Sequence, residues 1–261
     1  GLTVYPILKP KRHRTEFHAE SLSSGVEGLD AMLHGGIERG AVTVISGSSG
    51  VGKTTTGTTF MKEAAKREER SVIYLFEETI ETFSHRSESI GIPIEEMRES
   101  GTLHVKEMEP LQESADEFAA NVRYQVEEKG ADMVMIDGLS GYRLSIRGDE
   151  EELVRELHSL CRYCKNMGVT VVLTDDVESV TGDFEPTSAR ISYLADNIMF
   201  LRYLELEGEL RKAAGVLKKR ASDFERGLSE FRITENGIEV DEPLDNLRGV
   251  LTGTPELADG E

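Results

Sequence analysis

An apolar, β-prone run at residues 41–46 leads directly into Gly47-Ser48-Ser49-Gly50-Val51-Gly52-Lys53-Thr54, and a helix-length segment begins where that stretch ends. A GxxxxGKT stretch between a strand and a helix is a P-loop. Its glycines let the backbone curl closely around phosphate, while exposed N–H groups and the helix N-terminus supply positive potential. Lys53 is then placed to reach β and γ phosphates, Thr54 offers its hydroxyl to magnesium, and Thr55 belongs to the same binding turn.

Further apolar runs at 71–76, 102–105, 132–136 and 169–174 alternate with helix-length segments, so the chain is expected to be α/β. Apolarity within these runs is continuous rather than alternating, as in strands covered on both faces of a largely parallel sheet. The spacing allows right-handed crossovers. In one intervening segment Phe118, Val122 and Val126 recur every four residues and share a face. In the next, Asp149 suits the helix start with Glu152 returning the bond, and Leu153, Leu157, Leu160, Cys161 and Cys164 form the buried stripe. Lys165 and Gly168 suit its end. Beyond residue 196 short β-like runs at 197–202, 209–217, 230–233 and 237–240 are joined by turn residues, with Asn236-Gly237 as the strongest hairpin signal. The expected fold is a mostly parallel central sheet covered by helices, with a C-terminal antiparallel extension. Residues 1–20 read as an N-terminal strand and exposed linker, 21–241 as the main domain, and 242–261 as a loose tail rich in Gly, Pro, Asp and Thr.

Composition limits what this domain meets. With 261 residues and 28.9 kDa, 38% of it hydrophobic, the chain can bury one sizeable core. Thirty Lys and Arg against forty-nine Asp and Glu leave a net charge of −19, a field that repels nucleic acid and anionic membranes. The acid is spread along the chain and nineteen Arg exceed eleven Lys, which suits a solvated surface in a salt-rich cytoplasm and hence a halophile. No apolar stretch approaches the roughly 20 residues that a bilayer crossing requires, and no secretion signal is evident, so a cytoplasmic location is expected. Cys161 and Cys164, the only cysteines, lie in a helical segment and read as packing residues rather than a disulfide or metal pair.

Nucleotide chemistry needs more than a phosphate cradle. The run Met133-Val134-Met135-Ile136-Asp137 is an apolar strand ending in a carboxylate, which beside a P-loop strand holds magnesium through its water shell. Glu77 and Glu78 follow the 71–76 run and so stand at the carboxyl edge of the sheet, where an open α/β protein builds its crevice. A bend there lets one address water and the other a neighbouring group. Thr174, Asp175 and Asp176 end another strand and either sense phosphate or Asp137 or serve as ordinary edge residues. Lys218, Lys219 and Arg220 form a basic cluster in an acidic chain; alternation puts Lys218 and Arg220 on one side, where they could neutralise a transferring phosphoryl group within the chain or across an interface.

These residues resemble those of KaiC-like ATPases of the RecA superfamily, over nearly the whole chain, and in particular the second domain of a tandem haloarchaeal member. The stretch Leu22-Ser23-Ser24-Gly25-Val26-Glu27-Gly28-Leu29-Asp30 with Gly35-Gly36-Ile37 resembles the family's approach to its P-loop, Phe76-Glu77-Glu78 its catalytic double glutamate, and Leu194-Ala195-Asp196-Asn197 a later strand. The resemblance implies ATP and Mg2+ as ligands, Glu77 and Glu78 as activators of water, and Lys53, Thr54 and Asp137 as holders of nucleotide and metal. It also implies a homo-oligomeric ring, usually six-fold, with ATP between subunits and Lys218 and Arg220 reaching the neighbour's ATP, and it leaves room for a protein partner. Three positions depart from the family. Ser192-Tyr193 stands where clock members carry a Ser-Thr phosphorylation pair, Ala221 replaces a usual Gly, and Phe224 a usual His. No clock cycle is inferred, and autokinase activity at Ser192 stays open.

Three functions were weighed. The expected one is magnesium-dependent ATP hydrolysis coupled to oligomer or partner conformation. A nucleotide-sensing module with negligible turnover would share the same binding residues. A recombinase-like single-strand DNA binder would use loops 138–148 and 177–191, with Arg143, Arg147 and Arg190, but these lack dense basic and aromatic interleaving and the net charge opposes them.

Overall fold

The computed structural model of the protein describes residues 20–109, 114–145, 150–177, 191–206, 208–244, 247–248 and 256–257. Its elements follow the chain as β1 (Ser21–Leu22), α1 (Glu27–Met32), β2 (Ile37–Glu38), β3 (Val42–Gly47), α2 (Lys53–Lys66), β4 (Ser71–Leu75), α3 (Ile80–Glu88), α4 (Ile94–Glu99) and β5 (Leu103–Glu107). There follow α5 (Ala115–Glu127), β6 (Met133–Asp137), α6 (Leu139–Ser145), α7 (Glu150–Met167), β7 (Thr170–Asp176), β8 (Asn197–Leu206), β9 (Glu209–Lys219), β10 (Ser229–Thr234) and β11 (Gly237–Pro243). Nine strands form one sheet in the order β11-β10-β9-β8-β3-β7-β6-β4-β5. From β8 to β5 every pairing is parallel; β8 through β11 pair antiparallel. This is the α/β, RecA-like architecture expected from the sequence.

The continuous apolar runs explain the layering. Along β3, β4, β6 and β7 successive side chains face opposite sides, and each side meets its own helices. Val44, Tyr74, Ile136 and Leu173 pack with Phe118 and Val122 of α5 and Leu157 and Cys161 of α7. Ile45, Ile73, Met135 and Val172 pack instead with Phe60 and Met61 of α2, Phe83 of α3 and Met97 of α4. Cys161 and Cys164 are both buried, as packing residues should be, and burial pushes the Cys161 thiol up to about 12 and that of Cys164 higher still.

Helix ends follow local chemistry. Ser114 and Glu117 close a reciprocal capping box at the start of α5. After α7, Gly168 takes the left-handed conformation (φ +75°), which stops the helix and turns the chain into β7. The expected Asp149 cap and the Leu153 side chain lie outside the described residues, as do residues 1–19, Arg147, Arg190 and nearly all of the 177–191 loop; the other loop weighed for nucleic acid, 138–148, is instead largely the helix α6, which carries Arg143. In the region read as a loose tail, Leu247–Arg248 pairs antiparallel with Glu256–Leu257, and the remainder of 245–261 is outside the described residues.

One strand is used differently from its reading. The sequence pattern groups residues 197–202 with the antiparallel extension, yet β8 runs parallel to β3 from Thr43↔Asn197 to Gly47↔Leu201 while its other edge is antiparallel to β9. It is both the last parallel strand and the first of the extension. No helix among the described residues is long and apolar enough to cross a membrane.

Candidate functional site

β3 ends at Gly47 and α2 starts at Lys53, so the P-loop forms the turn between them at the carboxyl edge of the sheet. Gly52 has φ +123°, a conformation that demands glycine, and a Cβ on it would lie 2.7 Å from Ile233 Cδ1. Val51 is buried and anchors the loop in the core, whereas Ser49 and Gly50 stand exposed at its tip. Ser48 is buried, and its carbonyl accepts hydrogen bonds from Val51 N–H (3.3 Å) and from Lys53 Nζ (3.0 Å). Lys53 Nζ also pairs with Asp176 Oδ1 at 2.6 Å. Thus the lysine that the motif leads one to expect at phosphate rests here on a loop carbonyl and a carboxylate at the end of β7.

Adjacent strand ends bring the remaining groups to that edge. β6 ends at Asp137, whose carboxylate accepts hydrogen bonds from Thr54 Oγ1 (2.9 Å) and Thr174 Oγ1 (2.8 Å). Thr174 in turn accepts from Gly138 N–H at 2.8 Å, which fixes its hydroxyl as a donor toward Asp137. Burial pushes the Asp137 carboxyl above its usual range, and the two threonine hydrogen bonds oppose that rise. Of the roles weighed for Thr174, contact with Asp137 is the one seen. Asp176 contacts Lys53.

The register Leu75↔Asp137 sets the double glutamate beside this pair. β4 stops at Leu75, and Phe76 N–H still donates to Asp137 O at 3.0 Å, but its ring turns inward against Phe118 and Tyr142, with centroids 5.6 and 5.5 Å away. Such aromatic pairs stabilise by about 0.5–1.5 kcal/mol each beyond area burial, enough to pin the bend. Beyond it the two glutamates diverge. Glu77 leans over Gly138, where a Cβ would lie 2.7 Å from Glu77 Cγ, and feels the Asp176 carboxylate. Burial, then the negative charges of Asp176 and Asp137, raise its carboxyl to about 7, against the pull of Lys53. Glu78 turns instead to Arg86 of α3, 2.5 Å away, and burial raises its carboxyl while Arg86 opposes the rise.

A cavity of about 120 Å³ opens past Thr55, the residue following the P-loop, and is lined by Ile90, Ile92, Asn236 and Ile238 among others. Lys212 Nζ reaches Gly50 O at 3.3 Å and lies 5.6 Å from the centre of the Tyr203 ring, so the β8–β9 hairpin touches the tip of the loop.

The structure does not bring Lys218 and Arg220 to this edge. Lys218 pairs with Ile198 at the beginning of β8, whereas the P-loop lies beside the level of Leu201 and beyond. As alternation requires, Lys218 and Arg220 turn one way and Lys219 the other. Lys218 Nζ donates to Ser192 O (2.8 Å) and Ala195 O (2.7 Å), and Arg220 to Tyr193 O (3.2 Å) with Asp196 Oδ1 at 3.5 Å. Lys219 is buried against Glu38, 3.4 Å away, and the Leu33 carbonyl.

Among the described residues, no group of three or more His, Cys, Asp or Glu is arranged to hold a metal. A hard cation sharing phosphate and water oxygens needs fewer protein ligands, and the hydroxyl and carboxylate of Thr54 and Asp137 are the donor chemistry that magnesium prefers. Sequence reasoning missed Arg86 altogether and left Asp176 undecided. Both act through partners far along the chain, and the only available signal for Asp176 was its place at a strand end.

Comparison with known proteins agrees with this geometry. The family model described as "ATPase: KaiC" matches residues 22–245. The circadian clock oscillator protein KaiC of Acaryochloris marina is 27% identical over 256 residues, covering 98% of this chain and 48% of the relative. The protein of that name from Picosynechococcus sp. is 28% identical over 256 residues, covering 98% and 49%. The circadian clock protein KaiC3 of Synechocystis sp. is 30% identical over 235 residues, covering 90% and 46%. The chain spans about half the length of the curated relatives it matches. A P-loop at the carboxyl edge of a RecA-like sheet, beside a strand-end aspartate and a double glutamate, together with a family match over most of its length, makes this chain a member of the KaiC family of ATPases.

Proposed function

We propose that this domain binds Mg–ATP and hydrolyses it to ADP and phosphate, and that the cycle alters an oligomer or partner surface. The observation that carries the reading is the meeting of Thr54 with Asp137, 2.9 Å apart, at the edge where Lys53 and Glu77 also converge. Lys53, now paired with Asp176, would exchange that partner for β and γ phosphate oxygens, and the P-loop amides from Gly47 to Thr55 would cradle the chain of phosphates. The base would extend past Thr55 into the cavity beside Ile90 and Ile238. Thr54 and Asp137 would hold Mg2+, which when bound supplies charge neutralisation at the phosphates.

Glu77 stands over Gly138 with a carboxyl near neutrality, suited to accept a proton from an attacking water. The water oxygen bonds to the γ phosphorus as the bond to the bridging oxygen breaks, and ADP leaves with that electron pair. Lys218 and Arg220 lie at the opposite end of the strands from their own P-loop, so they reach a transferring phosphoryl group only from a neighbouring subunit. That arrangement supports a homo-oligomeric ring, six-fold by family resemblance, in a salt-rich cytoplasm where the acid surplus is screened.

The test is Glu77→Gln combined with Glu78→Gln. Radiometric turnover should fall at least about 100-fold while direct Mg–ATP binding persists. Undiminished turnover would remove the double glutamate from the mechanism, and folded protein that fails to bind Mg–ATP at saturating ligand and native salt would overturn the whole reading.

A further inference from the structure

We infer that Arg86 is a positioning residue that holds Glu78 against α3 and thereby leaves Glu77 as the one member of the double glutamate facing the phosphate crevice. This rests on the ATPase reading above and concerns the division of labour within its site. Adjacent residues after a strand leave the backbone in divergent directions unless something redirects them. Here the divergence is kept and enforced. Thr79 caps α3, its side chain accepting from Thr82 N–H at 3.3 Å, which sets the helix immediately after the glutamates. Arg86, two turns along, returns its guanidinium to Glu78, Nη2 to Oε1 at 2.5 Å.

Two features set this pair apart from an ordinary surface ion pair. The Glu78 side chain is only 17% exposed, so the pairing fixes a largely enclosed carboxylate. Although the Arg86 side chain is 42% exposed, its Nε is buried without a hydrogen-bond partner among the described residues, a cost that turning fully outward would avoid. Meanwhile the charges acting on the two glutamates have separated: Asp176, Asp137 and Lys53 act on Glu77, whereas Arg86 and Asp137 act on Glu78. Without Arg86, Glu78 is free to compete for Lys53 and for the water that Glu77 addresses.

The experiment compares the intact chain with Arg86→Ala, Arg86→Lys, Glu78→Gln and the Arg86→Ala/Glu78→Gln double variant, by steady-state ATP hydrolysis with Mg2+, direct Mg–ATP binding and a crystal structure of Arg86→Ala. Arg86→Ala should lower kcat about tenfold with KM within about twofold, Arg86→Lys should recover most of the loss, and Arg86→Ala should add nothing once Glu78 is already Gln. In the crystal the Glu78 carboxylate should swing away from α3 toward Lys53. Fully additive losses, an unchanged kcat, or a Glu78 that stays in place would each overturn the inference. If Arg86→Ala does not fold, Arg86→Lys and Arg86→Gln carry the same comparison. Absence of turnover and binding in the unaltered protein would defeat the ATPase reading instead, and the Glu78 position in the crystal would still decide the role of Arg86.

Discussion

The two ends of the parallel strands carry opposite surpluses of charge. Where β3, β4, β6 and β7 finish, Glu77, Glu78, Asp137 and Asp176 share Lys53 and Arg86. Where they begin, Lys165, Lys218 and Arg220 gather around Asp196, which also accepts a hydrogen bond from Val42 N–H at 2.9 Å. The acid end sets four carboxylates against two cations; burial raises the carboxyls of Glu77, Glu78 and Asp137, and neighbouring negative charge adds to the rise at Glu77 and Glu78. The basic end sets three cations around one carboxylate, and the carbonyl oxygens of Ser192, Ala195 and Tyr193 orient Lys218 and Arg220 without neutralising them. Under the function proposed above, a phosphate with its metal placed between two copies would meet both ends.

The strongest way to break that contrast is to empty the basic end. Lys218→Ala with Arg220→Ala should lower turnover about 1000-fold, in the range of arginine-finger removal, with Mg–ATP affinity unchanged. Mixing these subunits with Lys53→Ala subunits should restore measurable turnover, since each supplies what the other lacks; failure to complement would place the basic pair outside the reaction. At the acid end, Asp137→Asn should weaken magnesium dependence by about 10–100-fold, read as the Mg2+ concentration for half-maximal turnover.

Smaller effects sharpen the difference in stability. Asp196→Asn leaves three cations around an uncharged amide and should cost about 2 kcal/mol in urea unfolding, with high salt recovering part of it. The Glu77 carboxyl works in the opposite sense. Its value in the fold, about 7, lies above the ordinary 4.5, so the folded chain binds the extra proton and stability falls as pH rises through that window. Without metal or nucleotide, Glu77→Gln should therefore stabilise the protein at pH 8 by about 1 kcal/mol, allowing for solvent screening of a partly exposed group, and by almost nothing at pH 4. An equal gain at both pH values would show that the glutamate is not held in a carboxylate-rich site.

Much of this arrangement was legible in the sequence because it is local. The P-loop carries its own spacing, and Asp137 and the double glutamate each follow a continuous apolar run, so their place at one edge follows from the parallel sheet. Alternation alone separated Lys218 and Arg220 from Lys219. Other features depend on what meets across the fold. Asp176 is 123 residues from Lys53, and a carboxylate at a strand end carries no mark of the lysine it will hold. Arg86 sits on a polar, charged helix where an arginine is unremarked, and only the bend pinned by Phe76 turns Glu78 toward it. The two-sided use of β8 was hidden for the same reason, since a strand's sequence does not state which neighbour lies on which edge.

The chain's sulfur chemistry offers an experimental consequence. Its only two thiols, Cys161 and Cys164, lie on α7 beneath 3% and 1% exposure, with their protons held well beyond neutral pH. The thiolate is the form that attacks an alkylating reagent, so modification must wait until α7 lifts from the sheet. The rate of labelling in the unaltered protein is thus a built-in stopwatch for that opening, and whether nucleotide slows it would reveal how far ligand binding reaches into the opposite face of the domain.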